Sequence, residues 1–221
     1  MVRHKREVFL GSSILIIATL AFLFGWTNLF TVKSVSVSGS PNTQITKQVL
    51  LIADIKKGEK LARVEPRSIS SKLALAGIDW IENVKISRNW INRNVNIDLS
   101  SRVAIAKAGE RYIDQGGVLF TSPIQVNEAL VEIEAKDDAA RAAAVELFLA
   151  LPSELRNKIV TLSASTSNNF QFALNDDLKI NWGSNSNTEV KVKIYKALID
   201  LPENKKINQM DVSDPTKPTV K

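Results

Sequence analysis

Between Glu7 and Lys33 no side chain carries a charge, and the run VFLGSSILIIATLAFLFGWTNLFTV from Val8 to Val32 is mostly aliphatic or Phe. At ~1.5 Å of helical rise per residue its central twenty residues reach ~30 Å, the thickness of a hydrocarbon core. No other stretch is apolar for so long, so the expectation is one membrane-spanning helix over residues 8–30 with all folding confined to its two sides. Arg3, Lys5 and Arg6 crowd the short amino-terminal flank while only Lys33 lies close beyond the far end. The positive-inside bias then leaves residues 1–7 as a cytoplasmic tail and exports everything after Lys33. Trp26 and Phe30 fall where an aromatic belt marks the outer interface. A cleaved secretory signal also starts basic and turns apolar, but this run exceeds a usual signal core and no small-x-small cleavage site follows it closely.

The exported remainder of the 221 residues has room for two small domains or one large one. It contains no Cys, which removes disulfides, a thiol nucleophile and thiolate metal sites from consideration. The net charge of +6 is uneven: residues 33–102 hold twelve Lys and Arg against six Asp and Glu, whereas residues 103–221 hold fourteen against sixteen. A basic membrane-proximal half suits anionic lipid headgroups or wall polymers as well as plain solvation. The few aromatics are not interleaved with the basic residues as base-stacking platforms are, so nucleic acid is not an expected partner.

After the anchor, Val35 and Val37 alternate with Ser34, Ser36 and Ser38, a half-buried strand. Ile45, Val49, Ile52 and Ala53 recur at helical spacing, and Gly58 offers a stop. Pro66, a favoured first-turn residue, opens a second helix that carries Ile69, Leu73 and Ala76 inward as far as Gly77. The period then changes to two, through Val84 and Ile86, a turn at Asn92-Arg93-Asn94, and Val95, Ile97 and Leu99. The order β-α-α-β-β predicts a small α+β module with two helices on one face of a three-stranded sheet.

This stretch resembles the FtsQ/DivIB family of bacterial cell-division proteins, whose membrane-proximal module is a POTRA domain. The resemblance is carried by the basic tail and anchor, by Arg88-Asn89-Trp90, by Val95, Ile97 and Leu99, by Ser101-Arg102-Val103-Ala104-Ile105-Ala106, and by Ile113-Asp114-Gln115-Gly116-Gly117-Val118-Leu119-Phe120. Ile91 stands where the family often has Pro, Ser101 where it has Glu, and Ala104 where it has Pro. It implies a POTRA-like domain over 31–107 and a mainly antiparallel β-domain with two helices over 108–214, leaving 215–221 as a flexible tail.

The residues of the second region agree with that layout. Arg111–Ile113 and Val118–Phe120 flank Asp114-Gln115-Gly116-Gly117, whose glycines can take the positive φ of a tight hairpin. Leu130–Ile133 is a strand, and Asp137 or Asp138 caps a helix that stops at Pro152. Ile159–Ser163, Asn169–Leu174 and Leu178–Trp182 alternate as a meander. Asn187 or Thr188 caps a helix ended by Pro202, with Lys191, Lys193 and Lys196 as a solvated face. Ile207–Val212 is the final strand, and Pro215 and Pro218 stop further pairing. Lys179-Ile180-Asn181-Trp182-Gly183 and Met210-Asp211-Val212-Ser213 resemble the family's closing pattern.

A catalytic set is hard to assemble. The single His, His4, lies in the tail, which removes a Ser-His-Asp triad and His-ligated metal from the exported part. No Ser is followed three residues later by Lys, so the Ser-x-x-Lys nucleophile pattern is missing. Gly116-Gly117 precedes no helix and is no phosphate loop. Asp137-Asp138 and Asp176-Asp177 are accounted for by a cap and a turn, although a wall hydrolase built on such carboxylates is the rival reading. An outer-membrane assembly factor would continue into a long barrel. The expectation is therefore a non-enzymatic scaffold with no cofactor and no metal. A sheet edge can accept a partner's strand, and the resemblance implies FtsB/DivIC-like and FtsL-like division proteins as partners, with a septal wall synthase as a further candidate. It places the FtsB/DivIC-like contact at Ile207, Gln209, Met210, Asp211, Val212 and Ser213, on a single-pass protein of the cell membrane enriched at the septum.

Overall fold

The computed structural model describes residues 12–19, 21–22, 30–126 and 129–221, which separate into two compact units, residues up to Ser101 and Arg102–Lys221. Residues 12–19 and 21–22 are helical, with Ile14, Leu15, Ile16 and Ile17 exposed. Among the described residues no helix is long and apolar enough to cross a membrane. The rest of the expected 8–30 span, the tail and His4 lie outside the described residues.

The first unit has the expected order. Strand β1 (Ser34–Ser38) is followed by helices α1 (Thr43–Ala53) and α2 (Pro66–Leu75) and by strands β2 (Ile81–Asn89) and β3 (Asn94–Ser101). Helix α1 starts where Asn42 accepts the Ile45 N–H at 2.9 Å and ends where Asp54 turns left-handed at φ 48°, four residues before Gly58. The sheet order is β1-β3-β2, with β1 parallel to β3 in the register Ser34↔Asn94 and β2 antiparallel to it. Val95, Ile97 and Leu99 of the central strand join Val49, Ile69 and Leu73 of the helices in the core. Ala76, expected inward, is instead exposed at the cap of α2. On the opposite face Ser36 donates to Asn96 at 2.9 Å and Ser38 pairs with Asp98, so the polar side of the strand pattern is a hydrogen-bonded ladder.

Arg88 explains why the Arg-Asn-Trp step matters to this unit. Its guanidinium donates to the carbonyls of Leu61 and Val64 at 3.3 and 3.2 Å, satisfying two acceptors of the α1–α2 connection. It also lies 5.6 Å from the Trp90 ring centroid, and Trp90 meets Phe30 edge-on at 5.9 Å.

Among the described residues the second unit is built on one nine-stranded sheet. Its strands are β4 (Ala106–Ala108), β5 (Arg111–Ile113), β6 (Leu119–Phe120), β7 (Val131–Ala135), β8 (Ile159–Thr166), β9 (Asn169–Leu174), β10 (Lys179–Gly183), β11 (Gln209–Asp211) and β12 (Thr219–Val220). The spatial order is β12-β11-β10-β9-β8-β7-β4-β5-β6. Five of the eight pairings are antiparallel; β4–β7, β7–β8 and β10–β11 are parallel. The sheet is therefore mixed. Helices α3 (Asp138–Ala150) and α5 (Thr188–Ile199) are the crossovers that β7–β8 and β10–β11 require, and a short α4 (Ser153–Arg156) adds a turn after Pro152. Asp137 caps α3, accepting the Ala140 N–H at 2.8 Å. The division falls after Ser101 rather than at 107, because Ala106–Ala108 pairs with β5 and β7.

The carboxy-terminal segment departs from the expected loose tail. Asp214 accepts the Thr216 N–H at 2.9 Å, turns the chain, and sends Thr219–Val220 back antiparallel to β11 in the register Met210↔Val220 and Asp211↔Thr219. Pro215 and Pro218 sit in the turn and just before the strand, where neither owes an N–H to the ladder. One face of the sheet, with Phe170, Phe172, Ile180, Trp182 and Met210, is packed under the helices through Leu147, Val192 and Tyr195.

Candidate functional site

The candidate site is the β10–β12 end of this sheet. Alternation along the strands sends Ile180, Trp182, Met210 and Val212 into the core and leaves Lys179, Asn181, Gln209 and Asp211 on the helix-free face. Met210 and Val212 are 2% and 0% exposed. Of the six residues expected to meet a partner, these two are core residues and Ile207 is half-buried; Gln209 and Ser213 are exposed and Asp211 partly so. Nor is β11 an edge: β10 flanks it on one side and β12 on the other. The main chain of Lys221 closes the ladder, accepting from Asn208 at 2.9 Å and donating to Gln209 at 3.0 Å. Among the described residues, β12 is the last strand on this side, and its outer N–H and C=O groups pair with nothing in the sheet.

Polar contacts lock the end in register. Asn181 Nδ2 donates to Asp211 Oδ2 at 2.8 Å, and Asp211 Oδ1 accepts the Ser213 N–H at 2.9 Å and the Ser213 hydroxyl at 2.6 Å. Burial pushes the Asp211 carboxyl up, but these bonds from Ser213 and Asn181, with the Lys191 charge nearby, outweigh it and hold it below the usual carboxylate range. Gly183 sits at φ +67°, and a Cβ there would lie 2.7 Å from that of Ser213.

Lys191 overturns the expectation of a solvated lysine face. It is 0% exposed, and its ammonium donates to the carbonyls of Trp182 at 2.9 Å and Ser184 at 2.7 Å. Desolvation pulls its pKa down, against the opposing pull of Asp211. Lys191, Tyr195 and Leu198 share one helical stripe, so the spacing held a signal that the residue type hid. Lys193 is exposed, and Lys196 pairs with Glu154 at 2.5 Å.

On the helix-free face, Glu134, Ser163, Gln171, Lys179 and Asp211 line a shallow channel of about 550 Å³ that ends beside Thr219 and Lys221. It offers hydrogen-bond donors, acceptors and both charges next to an open strand edge, a surface suited to an extended peptide. The acidic pairs considered for hydrolysis have structural employment: Asp137 caps α3, Asp138 pairs with Arg141 at 2.8 Å, and Asp176 and Asp177 form the β9–β10 turn, Asp177 at φ 64°. Among the described residues, no three His, Cys, Asp or Glu converge as metal ligands would.

At the far side of the sheet the motif residues form a clasp. Asp114, 5% exposed, pairs with Arg102 through one oxygen and accepts the N–H groups of Gly116 and Val118 through the other, both at 2.9 Å. Gly117, at φ +77°, lies so close to α3 that a Cβ would come within 2.8 Å of Ala142, and Arg141 Nε donates to its carbonyl at 2.6 Å.

Fold and site together define a POTRA module joined to a helix-backed mixed sheet with an open carboxy-terminal edge. Residues 30–102 match the model of the POTRA domain, FtsQ-type, and residues 103–213 that of cell division protein FtsQ/DivIB, C-terminal. The chain belongs to the FtsQ/DivIB family of cell division proteins. It is 24% identical to the cell division protein FtsQ of Mycolicibacterium smegmatis over 216 residues, 95% of this chain and 62% of that one. It is 25% identical to the cell division protein FtsQ of Mycobacterium leprae over 202 residues, 88% of this chain and 57% of that one. The chain thus spans about three fifths of the length of these curated relatives.

Proposed function

We propose that this protein is a single-pass, non-enzymatic scaffold of the division machinery. In this reading residues 8–30 anchor it in the cell membrane, residues 1–7 face the cytoplasm, and both folded units lie outside at the septum. There it binds FtsB/DivIC-like and FtsL-like membrane proteins and couples septum formation to wall synthesis. The observation that carries the reading is the open outer edge of β12 beside the polar channel. A partner adds an extended strand to Thr219–Val220, and Gln209, Asp211 and Ser213 contribute from the face and loop beside it. Ile207, Met210 and Val212 support the surface from beneath.

A photo-crosslinking side chain at Thr219 in the full-length membrane protein tests this. Expected is a crosslink to a small membrane protein of the division machinery, lost when Val220→Pro removes an N–H from the β12 backbone, together with accumulation of a tagged copy at midcell. An even distribution around the envelope in dividing cells, or equal crosslinking at Thr219 and at Glu110 near the opposite edge, overturns it.

A further inference from the structure

One end of the first unit gathers three segments next to the residues that follow the long apolar run. Because β1 runs parallel to β3 in the register Ser34↔Asn94, the chain enters the sheet at the end where the β2–β3 hairpin turns. Backbone bonds fix three segments together there. Lys33 N donates to Arg93 O at 2.7 Å, Val32 N to Glu59 O at 2.8 Å, Gly58 N to Val32 O at 2.9 Å, and Leu61 N to Phe30 O at 2.9 Å. The hairpin tip and the Lys56–Lys60 turn therefore stand beside the residues that follow the long apolar run.

These two segments carry an unusual pair of features. Ile91 at the hairpin tip is 93% exposed, the highest of any large apolar side chain described, and it follows Trp90, which stacks against Phe30. The bonded segments carry Lys33, Lys56 and Lys57, all exposed, with Lys60 and Arg93 half-buried; Asp54 and Glu59 lie beside Lys56, and Glu59 accepts the Lys56 N–H at 3.3 Å. An exposed aliphatic next to a half-buried Trp, on segments rich in exposed lysine, has a simple complement. Wall polymer would use the charge but has no use for Ile91.

We infer that this end of the POTRA module is a foot that rests on anionic lipid headgroups, with Ile91 inserted below them and Lys33, Lys56 and Lys57 at phosphate level. The inference rests on the anchor of the proposed function, because the residues that follow the apolar run are what hold the foot at the bilayer. Docking fixes the posture of the module against the membrane. Each basic residue near an anionic leaflet favours the docked state about fivefold, so reversing two of them lowers it by roughly twenty-five-fold or more.

The chain has no Cys, so single labels can be placed without background. An environment-sensitive fluorophore is attached through Ile91→Cys or Leu75→Cys in the full chain reconstituted in nanodiscs. Leu75 is 88% exposed at the end of α2 near the start of β2, about 26 Å from the hairpin tip along the strand. Expected is quenching by spin-labelled lipid at position 91 but not 75, only with phosphatidylglycerol present, weakened by salt and lost in Lys56→Glu/Lys57→Glu. A label at 91 that stays in water like the one at 75, or quenching indifferent to phosphatidylglycerol, salt and the double variant, overturns the inference. Retention of the chain through an alkaline wash reports the anchor separately; a chain washed off lacks it, and the label at 91 still decides docking.

Discussion

Removing the Asp114 carboxylate should unfasten the β5–β6 hairpin from the rest of its sheet. The group makes three charge-assisted contacts, one to Arg102 and two to the N–H groups of Gly116 and Val118. Counted singly, such bonds are worth ~1.5–3 kcal/mol each. They are not additive, and Arg102, with 21% of its side chain exposed, is already partly solvated. A loss of about 3 kcal/mol for Asp114→Ala follows, at the lower end of the ~3–5 kcal/mol for breaking a buried pair. Asp114→Asn keeps an acceptor for the two N–H groups and forfeits only the charge, so it should cost roughly half as much. Hydrogen exchange read peptide by peptide isolates residues 111–120 from the first unit. A drop of about 3 kcal/mol appears there as exchange faster by roughly two orders of magnitude. In a double-mutant cycle, Arg102→Met should couple to Asp114→Ala by at least ~1 kcal/mol. Asn as damaging as Ala would show that the N–H bonds do nothing, and both below ~0.5 kcal/mol would refute the clasp altogether.

Two further outcomes follow from the opposite end of the sheet. Gly183→Ala combines left-handed strain with a collision against Ser213 and should destabilise the second unit by ~2–4 kcal/mol, seen as a lower urea midpoint; no shift would mean that Ser213 moves freely. The depressed pKa of Lys191 means that the native state resists its proton. The penalty is present below the folded pKa and lifts as pH rises through it towards the unfolded value near 10.5, so stability should climb over that alkaline window; Lys191→Met should flatten the climb, and an identical pH profile in both proteins would contradict it.

The strands that alternate cleanly could be read from the chain because each side chain reports its own environment. Val95, Ile97 and Leu99, or Phe170, Phe172 and Leu174, declare a face without reference to any partner. Strand partners are another matter. The parallel pairing of β10 with β11 depends on α5 carrying the chain across, and nothing local to Gln209–Asp211 says which neighbour lies where. Thr219–Val220 is two residues long and follows two prolines, so it lacks the length for a period to show; its pairing comes from the Asp214 turn. That omission moved the open edge from β11 to β12 and turned Met210 and Val212 from contact residues into core. Lys191 is the converse case: it lies on the apolar stripe of α5, while its charge suggests water.

Several of the residues by which this chain resembles its family are engaged inward in the structure. Arg88 is spent on two carbonyls and an indole ring, Arg102 and Asp114 on each other and on a turn, and Gly117 on the close approach of α3. Side chains so employed preserve a fold and have little left to offer a partner. Family membership, read through them, therefore guarantees the scaffold and is silent about what it holds. In the proposed reading recognition falls to the outer backbone of Thr219–Val220, the exposed Gln209 and Thr219 side chains and the exposed Ile91. If that division of labour holds, exchanging Gln209 and Thr219 for other strand-forming residues should alter partner affinity with the urea midpoint unchanged, whereas no substitution at Asp114 should change affinity without also lowering stability.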